Sequence, residues 1–385
     1  MYVRPPAGRA RLLVAGLLVA ALTACGDSSG TGESAEQTEP QHDEVAVGAA
    51  GDWLEEQLTD GVLSYRTEFG PFTDYGLSID AALALDALGG HDDTVQQIGE
   101  AVAADLDSYI SGDAAGDKGS TYAGPTAKAL VMAHAAGVEP AEFGNGDLVE
   151  RLESTVSSAG PVTGRIEDTS TFGDNANVLG QALAAQGLTL AGSDRAQEVT
   201  SFLLEQQCSE GYFRLQFTPD KTAPDQSCDA GSAKESAPDL DTTSLVVLAL
   251  QDVDGAEADD AVTSATRWLV EQQETDGSFA AGGAPNTNST GVAGWALGAE
   301  GEAEGAEQAA TWVRGLQAGA DGDCEPWDAG DLGAIAYDEA ALEAGRKDGI
   351  TKATTGQWLR ATVQALPVLH WAPAAESGSP CGSAS

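Results

Sequence analysis

The sequence predicts an all-α ring of six helical hairpins, and two observations carry that prediction. Segments of two kinds alternate along the chain, one amphipathic and one apolar on every side, and the alternation recurs at a nearly constant step. The pair is plainest between Val262 and Ala299. Val262, Ala265, Trp268 and Leu269 share one helical face, Arg267, Glu271 and Gln272 fall elsewhere, and the segment ends in a Gln-x-x-x-Gly turn from Gln273 to Gly277. The second half starts at Asn288 and Ser289 and runs Val292-Ala293-Gly294-Trp295-Ala296-Leu297 without a charge before Glu300. A helix apolar all round must be enclosed by other elements, whereas one with a single apolar stripe lies outside.

In chain order, the first element is an address. Arg4, Arg9 and Arg11 precede an apolar run from Leu12 to Ala21 that is too short for a permanent membrane span, and Leu22-Thr23-Ala24-Cys25 follows. This resembles the lipobox of bacterial lipoproteins, which implies cleavage after residue 24 and a lipid on Cys25 that holds the protein to the outside of the membrane. Residues 25–46 are Gly, Ser, Thr, Glu and Gln with few apolar positions, a tether. The ring occupies residues 47–370, and 371–385 form a tail.

Within the ring, outer segments end at Gly61, Gly112, Gly160, Gly211, Gly277 and Gly322, at steps of 51, 48, 51, 66 and 45 residues. Three of the turns read Gln-x-x-x-Gly-x-apolar: Gln57 to Leu63, Gln207 to Phe213 and Gln273 to Phe279. Inner segments follow as DAALALDAL from Asp80, TAKALVMAHAA from Thr126, NANVLGQALAA from Asn175, DTTSLVVLAL from Asp241, the Asn288 stretch, and TTGQWLRATVQAL from Thr354. No single hairpin can cover its own inner helix, so neighbours must stack, and six can close into a ring with no open end.

With Cys25 lipidated, Cys208, Cys228, Cys324 and Cys381 remain, and three pairings are open. Cys208 with Cys228 and Cys324 with Cys381 is favoured: the first staples the insertion that lengthens one step to 66 residues, the second ties the tail to the sixth outer turn. Export suits such bonds. The full chain carries a formal charge of −43, and loss of residues 1–24 removes three Arg and no acid, leaving about −46. That sign excludes nucleic acid as a partner; the acid reads as a solvated surface outside the cell.

Six hairpins, the Gln-x-x-x-Gly-x-Phe turns at Gln207 and Gln273, and inner helices such as DTTSLVVLAL resemble the α/α toroid superfamily, whose fold is an (α/α)6 barrel. Terpenoid cyclases, protein prenyltransferase β subunits, thioester-containing defence proteins and cobalamin carriers share it. Each branch implies residues that can be looked for. Cyclases of the protonating class imply Asp-x-Asp-Asp-Thr. Asp239-Leu240-Asp241-Thr242-Thr243 matches except at Thr242, and aromatic residues to steady a carbocation are only 6% of the chain. The competing explanation is that Asp241 caps its helix, as Asp80, Asn175 and Asn288 would cap theirs. Prenyltransferases imply an Asp-Cys-His zinc site, but Asp323, Cys324 and His370 lack the spacing. Thioester proteins imply Gly-Cys-Gly-Glu-Gln, which does not occur. Carbohydrate-active toroids imply two carboxylates across a cleft; Asp80, Asp174, Asp239 and Asp241 are the candidates, and Asp239 and Asp241 carry the enzymatic alternative. In the loop Asp321 to Asp328, Pro326 stands where a calcium loop needs Gly, so no metal is assigned.

The carrier branch fits best, through the Asp-Thr-small-small-aliphatic run at Asp241. It implies a non-enzymatic protein that captures a small molecule, a corrinoid-like ligand being the leading expectation, with no cofactor of its own. The carriers' closing β domain has no counterpart here, which implies a separate secreted β domain as lid or an ABC-type uptake transporter as partner. Parallel inner helices bring six N-termini and their dipoles to one mouth. The residues expected there are Tyr75, Asp80, Tyr122, Asn175, Asn177, Asp241, Thr242, Asn288, Ser289 and Thr355, a set suited to an amide-rich or polyhydroxylated ligand. Lys128, Gln181, Trp295, Gln357 and Arg360 interrupt the inner helices and are further lumen candidates.

Overall fold

A computed structural model describes residues 42–374 other than 321 and 323, together with Cys381. The expected leader 1–24, the expected lipidation position Cys25 and the expected tether as far as residue 41 lie outside the described residues. The elements in order are α1 (Glu44–Glu56), a three-stranded antiparallel sheet of β1 (Leu58–Thr59), β2 (Val62–Thr67) and β3 (Gly70–Thr73), α2 (Tyr75–Leu88), α3 (Asp92–Ala104), α4 (Leu106–Ile110), α5 (Ala123–Ala135), α6 (Leu148–Glu153), α7 (Val178–Leu190), α8 (Ala196–Leu204), α9 (Leu240–Ala249), α10 (Ala256–Gln272), α11 (Thr287–Ala299), α12 (Ala303–Arg314), α13 (Glu339–Asp348) and α14 (Thr355–Ala365), which runs on into a 3-10 turn, Leu366–Trp371.

Among the described residues an outer helix precedes each inner one in chain order, α1 before α2, α3 before α5, α6 before α7, α8 before α9, α10 before α11 and α12 before α14, and α2, α5, α7, α9 and α11 each pack on the outer helix that follows, α3, α6, α8, α10 and α12. The inner helices touch in the order α2, α5, α7, α9, α11, α14, and α14 returns to α2, so the ring closes. Composition explains which helices lie inside. Of α9's ten residues, LDTTSLVVLA, all but Asp241, Leu245 and Leu248 are buried, whereas α10 buries Ala258, Ala261, Val262, Ala265, Thr266 and Leu269 along one stripe. Small residues draw the inner helices together. A Cβ on Gly180 of α7 would lie 2.9 Å from the Gly124 Cα of α5, and one on Gly291 of α11 would strike Ala365 of α14.

The recurrent turn has a physical role. Gln207 donates from Nε2 to the carbonyls of Gly211 at 2.8 Å and of Ala261, on the next outer helix, at 2.8 Å. Gln273 bridges Gly277 and Gly305 in the same way, at 3.0 and 2.9 Å. Two residues past each glycine, the Phe213 and Phe279 N–H groups donate to Thr243 and Thr290 of their own inner helices, at 3.0 and 2.9 Å. Each turn is thus tied both to its own inner helix and to the following outer one. Gly211 has φ +105° and a Cβ there would meet the Ser264 carbonyl at 2.6 Å, so both conformation and space demand glycine.

The same device closes the ring. Gln317 spans the carbonyls of Gly333 at 3.2 Å and Ala46 of α1 at 2.8 Å, Ile335 donates to Thr362 at 2.9 Å, and Gly333, at φ +91°, lies against the Ala49 carbonyl. The sixth turn therefore works through Gly333 rather than Gly322, and the third through Gly164, which packs on α8, rather than Gly160. Around this seam the Asp43 N–H donates to Ala372 O at 2.9 Å and Arg314 pairs with Asp43 at 3.0 Å. The first helix of this seam begins at Glu44, and Pro373 bridges His42 beside it.

The structure contains the two favoured disulfides, Cys208–Cys228 and Cys324–Cys381. They mark an oxidising, extracellular type of environment. Among the described residues no helix is long and apolar enough to cross a membrane.

Candidate functional site: a hollow between α5 and α7

Neighbouring inner helices meet start to start, Gly124 of α5 with Gly180 of α7 and Asp241 of α9 with Ser289 of α11, so these N-termini share one end of the ring. Side chains there already satisfy many of the first N–H groups. Asp74 accepts from Leu77 at 2.9 Å, Asn177 from Gly180 at 3.1 Å, Asp239 from Thr242 at 2.8 Å and Asn286 from Ser289 at 3.0 Å. Four expected caps are thereby corrected. Asp80, Asn175, Asp241 and Asn288 are not the capping residues of α2, α7, α9 and α11; the residues that cap are extended or non-helical in backbone and stand before the first helical turn.

The mouth is not one wide opening. A hollow of about 420 Å³ lies between α5 and α7, lined by Tyr109 of α4, Tyr122, Gly124, Pro125 and Lys128 of α5 and its start, Asp168, Asn175, Ala176 and Asn177 of the loop before α7, and Gly180 and Leu183 of α7. Gly124 and Gly180, both in its lining, approach each other closely. Of the residues expected to meet a ligand, Tyr122, Asn175 and Asn177 line this hollow, as does the lumen candidate Lys128. Asp80 stands behind Lys128, its carboxylate 2.6 Å from the ammonium. Tyr109 and Asp168 escaped the sequence reading: one sits on a five-residue helix without periodicity, the other in a loop.

The remaining expected residues are elsewhere. Tyr75 donates to Asp105 at 2.6 Å, and its hydroxyl pKa rises to about 12 through burial and that carboxylate. Thr355 donates to Thr351 O at 2.8 Å in the first turn of α14. Asp241, Thr242, Asn288 and Ser289 lie together at the α9–α11 boundary, apart from the lining of the hollow. Asp241 is bonded to Ser289, yet its Oδ1 is buried without a partner, as are Thr242 Oγ1 and Asn288 Oδ1. Burial first, and then Asp239, push the Asp241 carboxyl above its ordinary pKa.

Electrostatically the hollow is a balanced site. Burial works against charge on Lys128, but Asp80, Tyr109 and Asp74 together raise its pKa, so it is a cation throughout the neutral range. Burial raises the Tyr109 hydroxyl, which stays a neutral donor and acceptor. Asp168 accepts from Ala123 N at 2.8 Å and Asn175 N at 3.1 Å, while burial lifts its carboxyl above the usual range. Two phenols, one ammonium, one carboxylate and two amides therefore line a half-enclosed space together with the apolar Leu183. Such a set can form paired hydrogen bonds to vicinal hydroxyls while a phenol ring covers a C–H face. Among the described residues, Cys208, Glu210 and Asp229 are the one metal-like grouping, and Cys208 is consumed by its disulfide.

With this geometry in view, comparisons place the chain by its fold. A family model described as the α-macroglobulin TED domain matches residues 156–291, from the approach to α7 into α11. Solved structures resemble it over most of its length: a protein from Actinoplanes (TM-score 0.53, 18% identity, 85% of this chain and 99% of that one), the type II terpene cyclase MstE from Scytonema (0.52, 16%, 84% and 98%) and a glycosidase (0.50, 13%, 86% and 97%). No curated protein sequence matches. The chain is an α/α toroid, and at these identities the likeness extends to the fold alone.

Proposed function

We propose that this protein captures a compact polyhydroxylated molecule, such as a sugar, in the hollow between α5 and α7, outside the cell and held to the membrane through Cys25. The observation that carries the reading is the lining itself: Lys128, Asp168, Asn175, Asn177, Tyr109 and Tyr122 converge on about 420 Å³. At about 30 Å³ per water-sized group, that space takes on the order of fourteen such groups. A corrin ring with its amide arms is several times larger, so the hollow favours the small polyol over the corrinoid. A secreted β domain as lid, or an ABC-type transporter as acceptor, completes the role of an open, half-enclosed binder. Calorimetric titration of the mature protein with glucose, galactose, mannose, N-acetylglucosamine, cobalamin and cobinamide tests it. Heat with one of the sugars, lost in Asn177→Ala or Lys128→Met, supports the reading; heat with a corrinoid alone overturns it.

A second reading is enzymatic, and one observation favours it. The Asp241 carboxyl is raised in pKa by its burial and has an oxygen lacking any donor, and Asp239 is fixed beside it as a cap, a pair of carboxylates of the kind acid–base chemistry uses. It predicts turnover of an isoprenoid or glycoside that vanishes in Asp241→Asn while sugar binding in the hollow persists.

A further inference from the structure

Phe172 is 70% exposed, an unusual state for so large an apolar side chain, and it stands on the loop between Asp168 and Asn175, both of which line the hollow. A free loop would be able to bury such a ring transiently against itself. This loop is instead pinned at nearly every residue. Asp117, itself buried, accepts from Ser170 Oγ at 2.7 Å and from the Thr171 N–H and hydroxyl at 2.9 and 2.6 Å. The Phe172 N–H donates to Ser170 Oγ at 3.0 Å, and Thr169 exchanges both backbone bonds with Thr121 at 2.9 Å. On the other side of the ring, Asp174 accepts from Asp168 N at 2.9 Å and Ala176 N at 3.1 Å, and is itself held by Arg165 and Lys221, each at 2.9 Å. Three carboxylates, Asp117, Asp168 and Asp174, thus spend their acceptors on fixing a short loop whose centre is an outward phenylalanine.

Folding gains nothing from that arrangement, because the ring stays in water. Binding gains a preorganised apolar plate whose presentation has no ordering cost left. The C–H face of a sugar ring is the complementary surface: flat, apolar, and carried by a molecule whose hydroxyls keep it soluble. Since the hollow has room for about one ring, the second ring of a chain must leave it, and the loop that carries Phe172 forms part of its rim through Asp168 and Asn175.

We infer that Phe172 is an outer subsite, and that the ligand is an oligosaccharide whose terminal ring occupies the hollow and whose next ring stacks on Phe172. This rests on the sugar-binding reading of the hollow. The protein selects chain length through one exposed ring, and Tyr122, Asn175 and Lys128 select the terminal unit.

The test compares affinities for monomer and trimer: glucose with cellotriose and maltotriose, and N-acetylglucosamine with chitotriose, in the mature wild-type protein and in F172A and F172W. The expected result is that a trimer binds the wild type about 3- to 10-fold more tightly than its monomer, and that F172A abolishes this gain without changing monomer affinity or melting temperature. F172W keeps the gain, and its fluorescence responds to the trimer but not to the monomer. An unchanged trimer gain in F172A overturns the subsite while leaving the hollow's reading intact. Failure of every sugar to bind the wild type overturns both.

Discussion

The Lys128 ammonium of α5 and the Asp80 carboxylate of α2 meet at 2.6 Å, an ion pair between neighbouring inner helices on the wall of the hollow. It joins structure to recognition: the pair locks two inner helices and presents a fixed donor to whatever enters. Lys128→Met leaves Asp80 without its partner and is expected to lower stability by roughly 1–3 kcal/mol and to abolish binding. Lys128→Met with Asp80→Asn recovers much of the stability but not the binding. Because the Lys128 pKa is raised in the folded state, its contribution is fully present below the unfolded value of about 10.4 and is lost as pH rises through the higher folded one. Urea unfolding of wild type and variant at pH 8 and above pH 11 checks this: their difference shrinks at the higher pH.

Asp241 gives the opposite sign at neutral pH. Its folded carboxyl pKa is raised, so its contribution is present below the unfolded value of about 3.9 and is lost as pH climbs through the folded value. Asp241→Asn mimics the protonated group and is expected to raise the melting temperature at pH 7, with the advantage fading below pH 4. Asp239→Ala, which removes the actual cap, is expected to cost about 1 kcal/mol at both.

The glutamine braces predict where the ring opens. Gln317→Ala removes two hydrogen bonds at the seam, and should cost about 1–3 kcal/mol and speed amide exchange in α1. Gln273→Ala should cost a similar amount but loosen α12 instead, since its far partner is the Gly305 carbonyl. Exchange mass spectrometry separates the two patterns.

The disulfides span 20 and 57 residues. Paired Cys→Ser replacement is expected to cost about 3 kcal/mol for Cys208 and Cys228 and about 4 kcal/mol for Cys324 and Cys381. Chemical denaturation with and without reductant provides the measurement.

Much of this architecture was legible in the residues. Inner helices announced themselves by runs such as Leu245-Val246-Val247-Leu248 that no surface tolerates, and outer ones by single stripes ending in glycine. Caps were harder, because acceptors come in pairs two apart: Asp239 and Asp241, Asn175 and Asn177, Asn286 and Asn288. Only the backbone shows which of each pair is the extended residue before the helix. The sixth glycine was misplaced because the turn between α12 and α14 is long and holds α13, so Gly322 met the period while Gly333 met the Ala49 carbonyl. The hollow was half visible. Tyr122, Asn175 and Asn177 follow from proximity to helix starts, but Tyr109 and Asp168 arrive from a short helix and a loop by tertiary packing that leaves no local pattern. The strands Leu58–Thr73 lay inside a turn read only for its glutamine and glycine.

The most direct test of the account is a crystal structure of the mature protein soaked with the tightest-binding sugar of the panel. The account predicts one sugar ring between α5 and α7, hydrogen-bonded to Lys128 and to Asn175 or Asn177, with Tyr122 beside it. Ligand density at Asp241 and Asn288 instead, with the α5–α7 hollow left to solvent, would contradict it.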